Sequence, residues 1–171
     1  SARAAGPADD FPNRPMRIVV PYPPGGFNDT LARTVAERLT RDWGQSAVVD
    51  NKPGGNTLIG NGFVAKSAAD GYTLLITPLP FSTLPALYGA KLPYDATRDL
   101  TPVIWAGSAN NVLVFRKDFP VADVRGLIDY AKREPGKVNF ASTGSGSSNH
   151  LSMELFMKMT GTRMTHVPYK G

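Results

Sequence analysis

The sequence predicts an α/β fold in which short buried strands alternate with amphipathic helices. Three observations carry this reading. Arg17–Asp29 runs from an apolar strand (Ile18, Val19, Val20) through a loop of three prolines and two glycines straight into a helix. Strand and helix patterns then alternate as far as Ile76. The second half repeats the first motif: strand, small-residue loop, helix start.

Taken in order, Ile18–Val20 reads as strand one. Thr30 to about Trp43 reads as a helix, because Leu31, Val35 and Leu39 recur at helical spacing beside Ala32 and Ala36. Glu37 and Arg41 form a favourable pair on its outer face, and Gly44 is its stop signal. Ala47–Val49 is a second strand. Asn51–Asn56 is a turn, and Thr57–Lys66 a helix weakened by Gly60 and Gly62. Tyr72–Ile76 is a third strand. Pro78–Pro102 carries five prolines and reads as loop, with one helical turn at Pro85–Tyr88. Val103–Ala106 and Val112–Phe115 read as antiparallel strands around Asn110-Asn111. Val121–Arg133 is a helix with Leu127, Ile128 and Ala131 on one face and Pro135-Gly136 at its end. Val138–Ala141 is a strand, Ser142–Ser148 a polar loop, and Asn149–Thr160 an amphipathic helix (Leu151, Leu155, Met159, with Phe156). Met164–Val167 opens another strand. Trp43, Trp105 and the methionines at 153, 157, 159 and 164 are expected in the core.

The chain has 171 residues, 42% hydrophobic and 19% charged, which suits one large globular domain or two small ones. The net charge of +5 comes from scattered basic residues, with no Lys/Arg run interleaved with aromatics. Nucleic-acid binding is therefore not expected. There are no cysteines, which excludes disulfides, zinc–thiolate sites and cysteine nucleophiles. No apolar run approaches the ~20 residues that span a bilayer. The first twelve residues read as a leader remnant or tag.

A loop at the carboxyl end of a strand and the amino end of a helix is where ligands bind in open α/β sheets, and the helix start favours anions. Gly25 and Gly26 admit a ligand close to the backbone, while Pro21, Pro23 and Pro24 hold the loop in shape. Asn28 and Asp29 fit either N-caps or site residues. Ser142, Thr143, Ser147 and Ser148 place hydroxyl donors beside a second helix start. Ser82 and Thr83 follow the third strand in a loop that reaches toward the same cleft. The rival is a hydrolase or transferase. Gly144–Ser147 lacks both the P-loop ending and the Gly-x-Ser-x-Gly elbow. Ser147 and His150 stand three apart with no orienting acid, a spacing of capping rather than catalysis. The only histidines, His150 and His166, offer no metal cluster.

An ordered set of motifs then carries a family resemblance. It comprises Arg14–Gly26, Asp29, Ala32-Arg33, Gly44-Gln45, Val48–Gly55, Ile59-Gly60, Asp70–Leu75 and Leu92–Asp95. It continues through Pro135–Lys137, Gly144, Gly146, Ser147, His150-Leu151, Glu154–Phe156 and His166–Gly171. Over Phe11–Gly171 the chain resembles the Bug-type (TctC) solute receptors of tripartite tricarboxylate transporters. The resemblance implies a two-lobed type II periplasmic-binding-protein, or Venus flytrap, fold that the chain leaves within its second lobe. Lobe one would be residues 13–102 and lobe two would begin at 103–171. It implies a periplasmic, monomeric, non-enzymatic receptor without cofactor. Such a receptor takes a di- or tricarboxylate or acidic amino acid between its lobes and presents it to a membrane permease. A ligand-dependent partner of a membrane sensor is the further reading. The implied ligand contacts are Tyr22, Pro24, Gly25, Gly26, Phe27, Asn28, Asp29, Ser82, Ser142, Thr143, Gly146, Ser147 and Ser148.

Overall fold

A computed structural model describes residues 11–169. The first ten residues of the expected leader, and Lys170-Gly171 at the far end, lie outside the described residues. The chain builds two separate parallel sheets, each with its own apolar core.

In the first sheet β1 (Met16–Val20) lies between β2 (Ala47–Asn51) and β3 (Thr73–Leu75), in the order β2-β1-β3. Ile18 pairs with Val49 on one side and Leu74 on the other. A central parallel strand is covered on both faces, which explains the unbroken apolar run: Ile18, Val19 and Val20 are all buried. Helix α1 (Phe27–Trp43) lays Ala32 and Ala36 on Ile18 and Val20, with Val35 and Leu39 at the margin. It ends on Gly44 in the left-handed region, φ 68°, as its stop signal predicts. Helix α2 (Leu58–Ala65) comes very close to the end of β1 and the residue after β2. A Cβ at Gly60 would stand 2.7 Å from Pro21 Cβ and 3.1 Å from the Lys52 carbonyl. Gly60, read from sequence as a weak point, is thus the contact that lets α2 dock.

The stretch after β3 is more ordered than its prolines suggest. Pro80–Tyr88 forms α3, with Pro80 at its first turn, where a missing N–H costs nothing, and a 3-10 turn follows at Gly89–Lys91. Leu84 anchors it and is fully buried. A buried polar cluster ties α2 to the chain around it. The Asn61 amide donates to Thr57 Oγ1 (3.1 Å) and to Tyr94 Oη (3.0 Å), and the Thr77 hydroxyl donates to Asn61 Oδ1 (3.2 Å).

In the second sheet β4 (Asn139–Ser142) pairs with β5 (Thr165–Pro168). Helix α4 (Val124–Arg133) buries Leu127 and Ala131 beside Val138, Phe140 and Met164. It starts three residues later than Pro120 suggests, because Asp123 supplies the cap: its carboxylate accepts the Gly126 N–H at 2.7 Å. Helix α5 (Ser148–Thr160) presents Met153, Phe156 and Met157 to this core.

Four expectations need correction. Val103–Ala106 and Val112–Phe115 form no strands among the described residues. Val103, Ile104, Val112 and Val114 are about four-fifths exposed, with no ladder partner beside them. The expected hairpin turn is pulled elsewhere: the Asn111 amide donates to Ser152 Oγ (3.0 Å) and its oxygen accepts from Ser148 (3.3 Å). The apolar stripe Leu151–Leu155–Met159 is not the buried face of α5, since Leu155 and Met159 are exposed. Trp43 is half-exposed and Trp105 almost fully so, and neither is core. Finally, Phe11, assigned by sequence to the leader, packs edge-on against Trp43 and Tyr72.

Candidate anion-binding loops at two helix starts

The first loop is organised by one carboxylate. Helix α1 begins at Phe27 rather than Thr30, so Asn28 and Asp29 lie inside its first turn instead of capping it. The N-cap is Gly26, in extended conformation and without a side-chain cap. The N–H groups of Phe27, Asn28 and Asp29 therefore lack intrahelical acceptors and point out of the helix end. Pro23, Pro24, Gly25, Gly26 and Phe27 are exposed around them, and Gly25 takes φ 95°, open to glycine at little cost.

Asp29 is buried beneath this loop and collects four donated hydrogen bonds. Oδ2 accepts from the Gly25 N–H (2.9 Å) and Arg33 Nε (2.9 Å). Oδ1 accepts from Arg33 Nη2 (3.1 Å) and Asn51 Nδ2 (3.0 Å). The same Asn51 nitrogen donates to the Tyr22 carbonyl (3.0 Å), joining both ends of the loop. Arg33 first, then Gly25 and Asn51, pull the Asp29 carboxyl down to a pKa of about 2. It is ionised at any ordinary pH, cancelled by Arg33 and fully engaged. Its place is that of a clamp that sets the loop, the role of the third helical residue in a capping box reaching back to an N–H. Tyr22 lies on the first core, and burial pushes its phenol up.

The second loop, Ser142–Ser148, is folded mostly onto itself. Ser147 caps α5, accepting the His150 N–H at 3.4 Å and donating to the Gly144 carbonyl or Asn149 Oδ1 (2.6 and 2.7 Å). Ser142 is buried, and its Oγ lies 2.6 Å from His166 Nε2 and accepts the Gly144 N–H (3.1 Å). His166 stacks on His150 with ring centroids 4.0 Å apart, and burial, then His150, holds its pKa low. His150 Nδ1 accepts the Gly146 N–H at 3.0 Å. A serine–histidine pair thus exists, but it is the buried Ser142 with the half-buried His166, rather than the Ser147–His150 spacing visible in sequence. Thr143 and Ser145 are exposed and Ser148 is half-exposed; the Thr143 hydroxyl donates to Asn149 Oδ1 (3.2 Å) and the Ser148 hydroxyl to Asn111 Oδ1 (3.3 Å).

The Ser142–Ser148 loop meets the first half of the chain through Asn56, Thr83 and Leu87. The Thr83 hydroxyl donates to the Gly146 carbonyl at 3.1 Å, whereas the Ser82 hydroxyl turns back to its own helix, donating to the Leu79 carbonyl (2.8 Å). Sequence reading paired these two; the structure separates them. Asn56 and Leu87 were not legible as contacts, and only the small size of Gly144 and Gly146 hinted that something sits against them. A shallow groove of about 630 Å³ between α1 and β2 touches neither loop and plays no part here. Among the described residues no group of three or more His, Asp or Glu side chains is placed to hold a metal, and no helix is long and apolar enough to cross a membrane.

Two parallel-sheet units, each with a small-residue loop at a helix start, are the architecture of a two-lobed periplasmic binding protein. The family model for the tripartite tricarboxylate transporter family receptor (TctC) matches residues 31–171, and the chain belongs to that family. Protein BugT of Bordetella pertussis is 42% identical over 168 residues, covering 96% of this chain and 51% of BugT. Among solved structures, R. palustris Rpa4515 with adipate matches at 39% identity with a TM-score of 0.83, over 95% of this chain and 54% of that one. MatC from Rhodopseudomonas palustris with bound malate matches at 29% identity and a TM-score of 0.77, over 94% and 55%. The chain spans about half the length of the curated relatives it matches.

Proposed function

We propose that the protein is an extracytoplasmic, periplasmic receptor. It captures a small carboxylate, a di- or tricarboxylate or an acidic amino acid, between two lobes and hands it to the permease of a tripartite tricarboxylate transporter. The observation that carries this is the uncapped start of α1, held open by the buried, neutralised Asp29. In this reading the N–H groups of Phe27 and Asn28 receive one carboxylate, Gly25 and Gly26 give it access, and Tyr22 and Pro24 shape the wall. Thr143 and Ser148 add hydroxyls from the second loop, with Ser142, Gly146 and Ser147 holding that loop's turn and Ser82 at the margin. Adipate and malate bound to similar proteins support a carboxylate ligand.

Magnitudes favour enclosure by both lobes. A helix end contributes ~0.3–1 kcal/mol to an anion, up to ~2 in partly buried geometry. Micromolar affinity requires about 8 kcal/mol. One loop falls well short, so a single loop binds weakly by itself. The role is binding rather than turnover, because Ser142 is buried and bonded within its own turn.

The test is calorimetry of the whole protein against adipate, malate and glutamate, with adipamide as the uncharged control. Binding of at least one acid and none of the diamide is expected. Binding of the diamide as tightly as adipate would sink the reading.

A further inference from the structure

We infer that Asn56, Thr83 and Leu87 form an interlobe latch that holds the two lobes together without any solute. Each sheet has its own core, so the lobes owe their relative position to what crosses between them. Three side chains of the first lobe converge on one turn of the second. The Asn56 amide donates to the Ser145 carbonyl, the Thr83 hydroxyl donates to the Gly146 carbonyl (3.1 Å), and Leu87 lies on Gly146. The fit is that of side chains into bare backbone. A Cβ at Gly146 would stand 2.5 Å from Leu87 Cδ1, and one at Gly144 would stand 3.1 Å from Asn56 Oδ1.

Both surfaces are prepared for this contact. On the second lobe, the Gly146 N–H donates to His150 Nδ1, which fixes the turn, and the Gly146 carbonyl accepts from Thr83, whose hydroxyl has the Pro80 carbonyl (3.3 Å) as its alternative acceptor. On the first lobe, Asn56 and Thr57 both take left-handed φ, 51° and 73°. Asn tolerates that region, whereas a β-branched Thr does so only under constraint. The constraint is visible: Thr57 is buried against Asn61, which is itself held by Tyr94 and Thr77. The latch is also reversible by construction. Closing it leaves Asn56 Oδ1 buried without a donor, a group that opening would return to water.

A latch of this kind keeps the closed form populated before solute arrives, so the solute has less of the closure to drive. The inference stands on the two-lobed fold and not on the carboxylate reading. Its test therefore uses no solute. Arg38 and Lys158 are exposed, lie on α1 and α5, and are replaced by cysteine in a chain that has none of its own. Spin labels at these positions report the interlobe distance.

The unaltered latch should give a mainly short-distance population. Asn56→Gly with Thr83→Val should raise the open-to-closed ratio roughly tenfold, from two lost hydrogen bonds, and Thr83→Ser should behave as the parent. Identical distance distributions in parent and double variant overturn the latch, as does a parent already mostly open. Should the double variant fail to fold by circular dichroism, Thr83→Val alone decides. It trades a hydroxyl for a methyl and leaves the fold intact, and an unchanged distribution there is again a refutation.

Discussion

Asp29 shows how one side chain converts a flexible loop into a shaped one. Four donors meet on its carboxylate, and they come from the loop (Gly25), the helix (Arg33) and the neighbouring strand (Asn51). The pKa of about 2 fixes the sign of its pH dependence. A carboxyl lowered in the folded state stabilises fully above its ordinary value near 4 and loses that contribution as pH falls toward 2. Urea midpoints should therefore place Asp29→Asn below the parent at pH 7, with the gap shrinking as both are taken from pH 4 to pH 2. A gap that stays constant with pH would mean the charge of Asp29 contributes nothing. The sequence left Asp29 open between cap and ligand contact. It is neither at the helix boundary nor turned outward, and nothing in the local pattern shows that Asn51, twenty-two positions away, reaches it.

At the scale of elements, what was legible follows from what is local. The alternation β1-α1-β2-α2-β3 is written in apolar spacing and turn residues, and it stands with shifts of one to three residues at most ends. The capped starts of α4 and α5 rest on Asp123 and Ser147, both within reach of a sequence rule. What failed depends on distant partners. Val103–Ala106 and Val112–Phe115 have strand composition, but a strand exists only beside another, and that neighbour is not encoded in the segment. The buried face of α5 went astray for the same reason. Two apolar stripes compete there, and the packing of Phe140 and Met164 selects the one carrying Met153, Phe156 and Met157. Gly60 was legible as a glycine but not as a contact. Gly60→Ala should cost about 1–3 kcal/mol by overpacking against Pro21. Chemical denaturation measures it, and a loss below ~0.5 kcal/mol would show that α2 can move away.

Across the whole molecule, the two cores are joined by the exposed run between Thr101 and Lys117. Its backbone belongs to neither sheet, and Trp105 is 83% exposed. Brief chymotrypsin treatment of the 171-residue chain should cut first at Trp105, leaving two fragments that divide between the sheets. First cleavage within either sheet would mean that this run is protected. The Asp29–Arg33 pair acts at this scale too. Because the guanidinium cancels the carboxylate on the spot, the loop above it offers aligned peptide dipoles and no local charge. The pull of a dipole fades within a few ångströms, so such a loop does not fish for anions from afar. In the proposed receptor, capture at this loop would be decided by collision and fit. Salt that screens charges beyond ~8–10 Å should then leave the rate of such capture nearly untouched.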